Sequence, residues 1–263
     1  MTAAAASAAP AAPAGMSESE WTTRCELAAL YRLIAHFRMT DLIDTHISAR
    51  VPGPQAHFLI NRYGVLFEEM RASDLVKIDI DGTVVDNGGG TAPLARVNRA
   101  GFTIHSAVHA ARHDLHWVIH THTAAGAAVS AQEGGLLPIS QHALKFHQRL
   151  GYHDYEGIAL SLAERERLVA DLGAFNAMIL RNHGLLVAGA TVADAFHEIW
   201  FLERACQIQV QAQAGGAAVR LPPMAVRALT AQQFESEESA QIVQLTWQAA
   251  KRLVQGQRHR YES

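Results

Sequence analysis

The stretch Trp117-Val118-Ile119-His120-Thr121-His122-Thr123 carries the strongest pattern in this chain. Its first three residues are bulky and apolar, which is typical of a buried β-strand. Because side chains alternate between the two faces of a strand, His120 and His122 should point the same way, one repeat apart. Two imidazoles on one face at the end of a buried strand are half of a divalent-metal site.

A second apolar run, Met178-Ile179-Leu180, leads to Arg181-Asn182-His183-Gly184, where the glycine lets the backbone turn. His183 is therefore the candidate for the third ligand. We expect the His183 strand to continue through Leu185-Leu186-Val187. For His120 and His122 the alternative is a pair of hydrogen-bonded core histidines. A His before Gly in a strand-end turn is also common, so spacing alone leaves both interpretations open.

The chain contains 15 histidines, and some of the others are regularly spaced. His105, His109 and His113 stand at i, i+4 and i+8, which is one stripe of a helix predicted over residues 99–112. Such a stripe is more often a solvated or interface surface than a set of metal ligands. We retain His105 as a candidate because it comes first and can face the end of the His120 strand.

Other segments point to no standard catalytic template. The chain has no GxSxG elbow, P-loop, HExxH or GxGxxG after a strand. Gly88-Gly89-Gly90 lacks the flanking strand, helix and Lys of a phosphate loop, so we interpret it as flexible chain. The segment Tyr152-His153-Asp154-Tyr155-Glu156-Gly157 fits either a substrate wall or an ordered loop, and the sequence does not decide between them.

Length and composition exclude several classes of protein. The 263 residues are 49% hydrophobic, enough for one large α/β domain with a core. The formal charge is −3 and no basic tract is present, so we expect neither nucleic acid nor a membrane surface as partner. No apolar run approaches the roughly 20 residues that span a bilayer. Two widely separated cysteines indicate a reduced compartment, and we predict a cytoplasmic protein.

Strands and helices alternate without a long linker, which predicts one α/β domain. Residues 1–16 are Ala- and Pro-rich and are expected to be a disordered tail. Residues 17–225 form the domain, and 226–263 contain a C-terminal helix that we associate with assembly. Three pairs have the spacing of a helix cap: Ser17 with Glu20, Ser161 with Glu164, and Thr191 with Asp194. The turn Asp81-Gly82 between two strands predicts a hairpin.

Four short motifs resemble the class II aldolase/adducin family, in particular its adducin-head branch. The resemblance covers roughly residues 20–216 and implies an α/β/α sandwich around a mainly antiparallel central sheet for residues 17–225. It also implies a divalent metal, usually zinc, held by three histidines at the subunit interface of a ring tetramer. Carried over by motif, the ligands are His120, His122 and His183, as the spacing suggested. The motifs are VNRAGFTIHSA (97–107), HTHTAAGAAVS (120–130), YHDYEG (152–157) and LRNHGL (180–185).

The sequence departs from the sugar-phosphate aldolases of the family at their proton-transfer residue. Those enzymes carry a Glu on the helix before the HxH strand, and the corresponding residue here is Gly101. Glycine has no side chain for acid–base work. His105, one turn further along the same helix, is our candidate for the catalytic group.

The phosphate-binding positions of those aldolases also differ. They correspond here to Thr45-His46, Tyr63-Gly64 and Arg99-Ala100, and only Gly64 is retained. A phosphorylated sugar is therefore not the expected substrate. Arg62 or Arg99 could instead hold a carboxylate, so we assign Arg62, Gly64 and Arg99 to substrate binding.

Three functions are compatible with this resemblance. The first is a metal-dependent lyase, an aldolase or decarboxylase of a small hydroxy or oxo acid, with one divalent ion that is zinc, or else iron or manganese. The second is an Fe(II)-dependent oxidative decarboxylase. The third is a non-enzymatic oligomeric scaffold like the adducin head, with cytoskeletal partners such as actin. The chain ends at Ser263 without the long basic tail of animal adducins, which favours the enzyme. A stable oligomer with a vestigial metal is the remaining alternative.

Overall fold

The structure is a computed structural model that describes residues 11–86 and 97–263. Its strands are β1 (His46–Arg50), β2 (His57–Ile60), β3 (Val76–Asp79), β4 (Val84–Asp86), β5 (Trp117–Thr121), β6 (Gly151–His153), β7 (Ala177–Leu180) and β8 (Gly184–Gly189). Its helices are α1 (Glu18–His36), α2 (Arg99–Ala111), α3 (Ala124–Ser130), α4 (Gln141–Leu144), α5 (Glu164–Leu172), α6 (Val192–Gln213), α7 (Met224–Gln233), α8 (Glu237–Val254) and α9 (Arg258–Tyr261).

The strands form one eight-stranded sheet in the order β4-β3-β2-β1-β5-β8-β7-β6. All neighbours are antiparallel except β6 and β7, which are parallel. The strand β5 lies at the centre, between β1 and β8. The two faces of the sheet at β5 are covered by different helices.

Alternation along β5 sends neighbouring residues into two separate cores. Ile119 belongs to the core formed with α1, α6 and α8, whereas Val118 belongs to the core formed with α2 and α5. Each buried aliphatic side chain of this size contributes about 1.5–3 kcal/mol to folding. Because both faces of the sheet are covered by helices, the fold is the expected α/β/α sandwich around a mainly antiparallel sheet.

The segment around His183 differs from the expected single strand. It forms two antiparallel strands, β7 and β8, in which Leu180 pairs with Gly184. Residues 181–183 make the turn, and Asn182 adopts a positive φ of 53°. Two apolar stretches on either side of Arg181-Asn182-His183 fit either one strand or two short strands joined by a tight turn. His183 therefore lies in a turn at the end of the sheet.

Helix ends are partly as expected. Ser17 caps α1 and the pair Thr191 and Asp194 forms a capping box at α6, while β3 and β4 form the expected hairpin. The cap by Ser161 and Glu164 is wrong, since α5 begins at Glu164 itself after Ala163. The C-terminal helix is in fact two long helices, α7 and α8, because Ser236 interrupts the run and caps α8.

Two expectations fall on parts of the chain that the structure does not describe. The first ten residues of the predicted tail and the Gly88-Gly89-Gly90 segment both lie outside the described residues. Within residues 11–86 and 97–263, no helix is both long and apolar enough to cross a membrane.

Candidate metal centre

Three histidines meet at the end of β5. His120 and His122 follow each other at alternate positions, and the β7–β8 turn brings His183 beside them. Their ligand atoms all lie within 4.8 Å of one another. His122 Nε2 is 2.7 Å from His120 Nε2 and 2.8 Å from His183 Nε2. The three predicted ligands are thus brought together with their Nε2 atoms converging on one point.

Backbone contacts fix the His183 turn against its neighbours. The amide of His183 donates to Ser130 Oγ at 3.1 Å and to the Leu180 carbonyl at 3.1 Å. At Gly184 a Cβ atom would lie 2.3 Å from the Thr121 carbonyl oxygen. Only glycine permits β8 to approach β5 so closely. The glycine after His183 therefore sets the distance between His183 and the other two histidines.

Hydrogen bonds behind two of the rings determine which nitrogen carries the proton. His120 Nδ1 donates to the Leu185 carbonyl at 3.0 Å, and His122 Nδ1 donates to Asp41 Oδ2 at 3.2 Å. In a neutral ring this leaves the Nε2 lone pair free for a metal, and such outer contacts are typical of metal-binding histidines. Lone pairs that face one another repel unless a cation or proton lies between them. The donor set therefore fits a divalent metal ion.

The surroundings favour neutral imidazoles. Burial lowers the pKa of His120 well below 6.5, and His46, His183 and His122 lower it further. Burial is also the main cause that lowers the pKa of His183 to about 4, with His122 next. A neutral imidazole is the form that binds a metal. These rings are consequently ready to bind a metal at neutral pH without losing a proton first.

The space beside the Cα atom of Gly101 is filled by the side chain of His46. A Cβ atom at Gly101 would lie 2.6 Å from Cδ2 of His46. His46 pairs with His120 across β1 and β5, and the two rings stack with centroids 4.9 Å apart. His46 has no predicted functional role, because the register between β1 and β5 is not visible in the sequence. The missing side chain at Gly101 thus makes room for a fourth imidazole beside the ligands.

His105 lies behind His46, not among the three converging histidines. Its Nε2 is 2.8 Å from His46 Nδ1, and its Nδ1 is hydrogen-bonded to Ser48 Oγ. Ser48 Oγ is also 2.8 Å from His109 Nε2. His105 is fully buried and both of its ring nitrogens have partners. Its role in proton transfer stays a prediction, and any path from it to a substrate passes through His46.

The three residues assigned to substrate binding lie in separate places. Arg62 follows β2 and lies 3.9 Å from Asp74. Gly64 has a φ of +93° with open space around it, and Arg99 is the exposed first residue of α2. Among the described residues, no hydrogen bond or ion pair joins Gly64 or Arg99 to the three converging histidines. Their roles in substrate binding stay predictions.

Sequence reasoning also missed Asp41 and the surroundings of His153. Asp41 is half-exposed, and no motif distinguishes it from other acidic residues in loops. His153 is buried, and its Nδ1 is 2.7 Å from Asp171 Oδ2. Tyr155, in the same segment, has its ring centroid 6.2 Å from that of His183. The signals for this region were its unusual content of Tyr, His and Gly and its match to one of the four family motifs.

Comparisons with known proteins agree with this architecture. Residues 25–210 match the family described as Class II Aldolase and Adducin N-terminal domain. A Caulobacter vibrioides protein named "Putative aldolase class 2 protein" is 57% identical over 197 residues, which cover 75% of each chain. Alpha-adducin of Rattus norvegicus is 47% identical over 202 residues, covering 76% of this chain but 27% of the adducin.

Two solved structures have the same fold over nearly the whole chain. An aldolase II superfamily protein from Pseudomonas syringae is 53% identical, with a TM-score of 0.87 over 94% of this chain and 98% of that chain. An L-fuculose 1-phosphate aldolase from Glaciozyma antarctica PI12 is 27% identical, with a TM-score of 0.82 over 97% of each chain. The likeness to the first structure extends well beyond residues 25–210.

Proposed function

Because this chain belongs to the class II aldolase and adducin family, we propose that it is a metal-dependent lyase acting on a small molecule with a carbonyl or carboxylate group. The reaction is aldol cleavage or decarboxylation of a small hydroxy or oxo acid. One observation carries this proposal: three Nε2 atoms converge at the end of β5, and two of the rings are held from behind by hydrogen bonds. A scaffold has no need of that arrangement.

The ligands of the proposed ion are His120, His122 and His183. Zinc is our first choice, because neutral imidazole nitrogens with an open fourth position are common in catalytic zinc sites, and iron or manganese are the alternatives. A bound ion of this kind supplies a Lewis acid that polarises a carbonyl oxygen. Asp41 and the Leu185 carbonyl would keep two of the rings oriented throughout.

The proposed substrate lacks a phosphate group. The family's phosphate-binding positions are not retained here, apart from Gly64. Arg62 and Arg99 are proposed to bind a substrate carboxylate, which a guanidinium recognises through paired hydrogen bonds. His105 is the proton-transfer group proposed from the sequence, and it would act through His46. If His105 carries the proton, replacing it by Gln should abolish turnover and leave metal content intact; if another group carries it, turnover should persist.

The second candidate is an oligomeric scaffold without catalysis. Its support is the 47% identity to the rat alpha-adducin over 202 residues. A homotetramer is proposed under either function, with the metal group near a subunit interface. Cytoskeletal partners such as actin belong to the scaffold alone. The two functions therefore differ in whether the three histidines hold a metal and turn over a substrate.

The test is metal analysis of untagged protein purified without oxygen. The wild type is compared with a variant in which His120, His122 and His183 are replaced by Ala. A matched control replaces three exposed histidines, His36, His113 and His259, by Ala. We expect about one metal per chain in the wild type and control, and loss of the metal in the first variant.

Turnover then separates the functions. Cleavage of hydroxy or oxo acids without oxygen, in protein containing zinc or manganese, supports the lyase. Iron in the protein together with oxygen uptake that depends on substrate would identify the oxidative decarboxylase. If the wild type holds less than a tenth of a metal per chain and the triple variant is equally well folded, the lyase is ruled out and the scaffold is the remaining function.

A further inference from the structure

His153, on β6, lies between two carboxylates of α5. Its Nδ1 is 2.7 Å from Asp171 Oδ2, and its Nε2 is 3.4 Å from Glu164 Oε1. His153 is 4% exposed and Glu164 is 6% exposed. A buried histidine and a buried carboxylate therefore face each other. Asp171, which is half-exposed, contacts the other ring nitrogen of His153.

The position of the proton on His153 follows from its partners. An ionised carboxylate only accepts hydrogen bonds, so the bond to Asp171 requires a proton on Nδ1. To accept a proton the ring must be neutral, and in that form Nε2 presents a lone pair to the carboxylate of Glu164. Nε2 is fully enclosed and has no hydrogen-bond partner among the described residues. Two acceptors that face each other need a donor between them, because an unpaired buried polar atom costs about 1–3 kcal/mol.

A small cavity lies at this point and supplies space for the missing donor. His153 and Glu164 line it together with His183 and Tyr155, and its volume is about 10 Å³. That is about the space needed for a single water molecule. A water here could donate one hydrogen to Nε2 and one to Glu164, and its oxygen would remain available to the His183 side. Asp154, Glu156 and Arg181 are the other charged residues along the cavity wall.

The backbone ties this cavity to the metal ligands. His153 pairs with Leu180 across β6 and β7, and the Arg181 amide donates to the His153 carbonyl at 2.8 Å. The turn that carries His183 therefore begins directly after this contact. His153 is also close enough to contribute to the lowered pKa of His183. Any change at the His153 strand would thus be felt at the third ligand.

Stability alone does not explain why Glu164 is buried here. It begins α5 but does not form the expected cap with Ser161; its nearest side-chain partner is His153 at 3.4 Å, and the charge of Arg167, one turn along the helix, also acts on it. A buried carboxylate without a firmly bonded partner is costly, and an apolar residue would serve the fold at least as well. The arrangement is better explained by proton transfer.

We propose that His153 and Glu164, oriented by Asp171, carry the proton in place of His105 and act through one water in the cavity. On this inference His105→Gln should retain turnover. This inference rests on the proposed lyase function. In aldol cleavage the pair accepts, through the water, the proton of the substrate hydroxyl, whose C–O bond becomes C=O. The electron pair of the broken C–C bond stays on the neighbouring carbon, which then takes the same proton back. Atoms and charge balance without any further reactant.

Replacing Glu164 by Gln is the sharpest variant. It keeps the size of the side chain and removes its charge and basicity. Glu166→Gln is the matched control, since Glu166 is exposed on the same helix two residues along. Asp171→Asn is a second variant at a half-exposed position, so it tests the orientation of His153 even if Glu164→Gln folds poorly. Metal content is measured for all of them and should be unchanged.

We expect Glu164→Gln to lower kcat about 100- to 10,000-fold, the usual contribution of a general acid or base, with KM little changed. Asp171→Asn should lower it less, and Glu166→Gln should match the wild type. Exchange of the methyl protons of pyruvate with D₂O is a second measurement, because it needs proton transfer but no C–C cleavage. Nitrogen NMR of the metal-free protein should show the His153 proton on Nδ1, and Asp171→Asn should relax that preference.

Different failures have different meanings. If Glu164→Gln cleaves substrate as fast as Glu166→Gln, the inference is wrong and the lyase function stands. If the wild type exchanges protons of pyruvate in a Glu164-dependent way but cleaves no substrate, the inference stands and the lyase function is wrong. Absence of both activities in metal-loaded wild type, or a neutral His153 with its proton on Nε2, would overturn the inference.

Discussion

Two groups of histidines lie next to each other in this protein and use their ring nitrogens in opposite ways. In His120, His122 and His183 the Nε2 atoms converge, with the hydrogen bonds behind the rings. In His46, His105 and His109 the nitrogens bond to one another and to Ser48. We refer to the second group, with Ser48, as the buried histidine chain. Its three histidines are at most 2% exposed.

The difference between the groups lies in what each nitrogen faces. Converging lone pairs are stable only with a cation or proton between them, so the first group suits a metal. In the buried histidine chain each bond joins a donor to an acceptor, so the chain is satisfied without any ligand, apart from His109 Nδ1. Histidine spacing does not separate the two cases, because His105 and His109 are as regularly placed as His120 and His122.

The largest expected effect comes from removing one histidine of each group. His183→Ala should weaken zinc binding about 100- to 1,000-fold, because zinc sites of four ligands bind with about 10–16 kcal/mol in total. His109→Ala should leave zinc affinity unchanged and lower the free energy of unfolding by about 2–4 kcal/mol, through a cavity and a lost partner for Ser48. Competition with a chelator and urea denaturation measure the two. Equal loss of zinc in both variants would remove the distinction.

Acid should act on the buried histidine chain through folding. Burial lowers the pKa of His109 to about 3, from 6.5. Between these values the unfolded chain binds a proton that the folded chain does not, so stability is lost as the pH falls from 6.5. The loss is about 1.4 kcal/mol per pH unit for each such histidine.

The variant His109→Gln isolates this contribution. Between pH 6 and pH 4, the free energy of unfolding of the metal-free variant should depend on pH less steeply than that of the metal-free wild type. The difference in slope should be about one proton, which is about 1.4 kcal/mol per pH unit. Denaturation by urea at several pH values measures both slopes. Parallel slopes would mean that His109 is protonated in the folded protein.

Gly101 tests the contact between the two groups. Its Cβ would approach His46 to 2.6 Å, so Gly101→Ala must push the ring that stacks on His120. We expect a loss of about 1–3 kcal/mol in stability, as for other overpacked cores, in spite of the better helix propensity of Ala. Thermal unfolding measures it, and Gly101→Ala combined with His46→Ala should recover most of the loss. If Gly101→Ala alone is as stable as the wild type, the His46 ring moves aside without cost.

Asp41 should have the smallest effect. It bonds to His122 from a half-exposed loop, so Asp41→Asn should weaken metal affinity about 10- to 100-fold, as for other outer contacts of metal ligands. Stability should change little. Asp44→Asn is the matched control, because Asp44 lies in the same loop and bonds to Tyr63. If both variants bind the metal equally well, Asp41 does not orient His122.

Local patterns predicted most elements and the ligand set. The alternation of β5, the cap at Ser17 and the capping box at Thr191 depend on residues a few positions apart, and all were found. A turn at Gly184 was expected, but the reversal into a second, antiparallel strand was missed, because the apolar stretches on either side of the turn have the same composition in one strand or two. The cap at Glu164 was wrong for a different reason, since its side chain faces a distant histidine instead of its own helix.

The sequence by itself determined the α/β class, the family and the pair His120 and His122 at the end of β5, because these depend on strand alternation and short motifs. Only the tertiary structure decided which other residues face them. The register of β1 against β5 places His46 on His120, and the parallel pairing of β6 with β7 brings His153 beside His183. Such pairings depend on how distant segments pack, and no local pattern of residues records them.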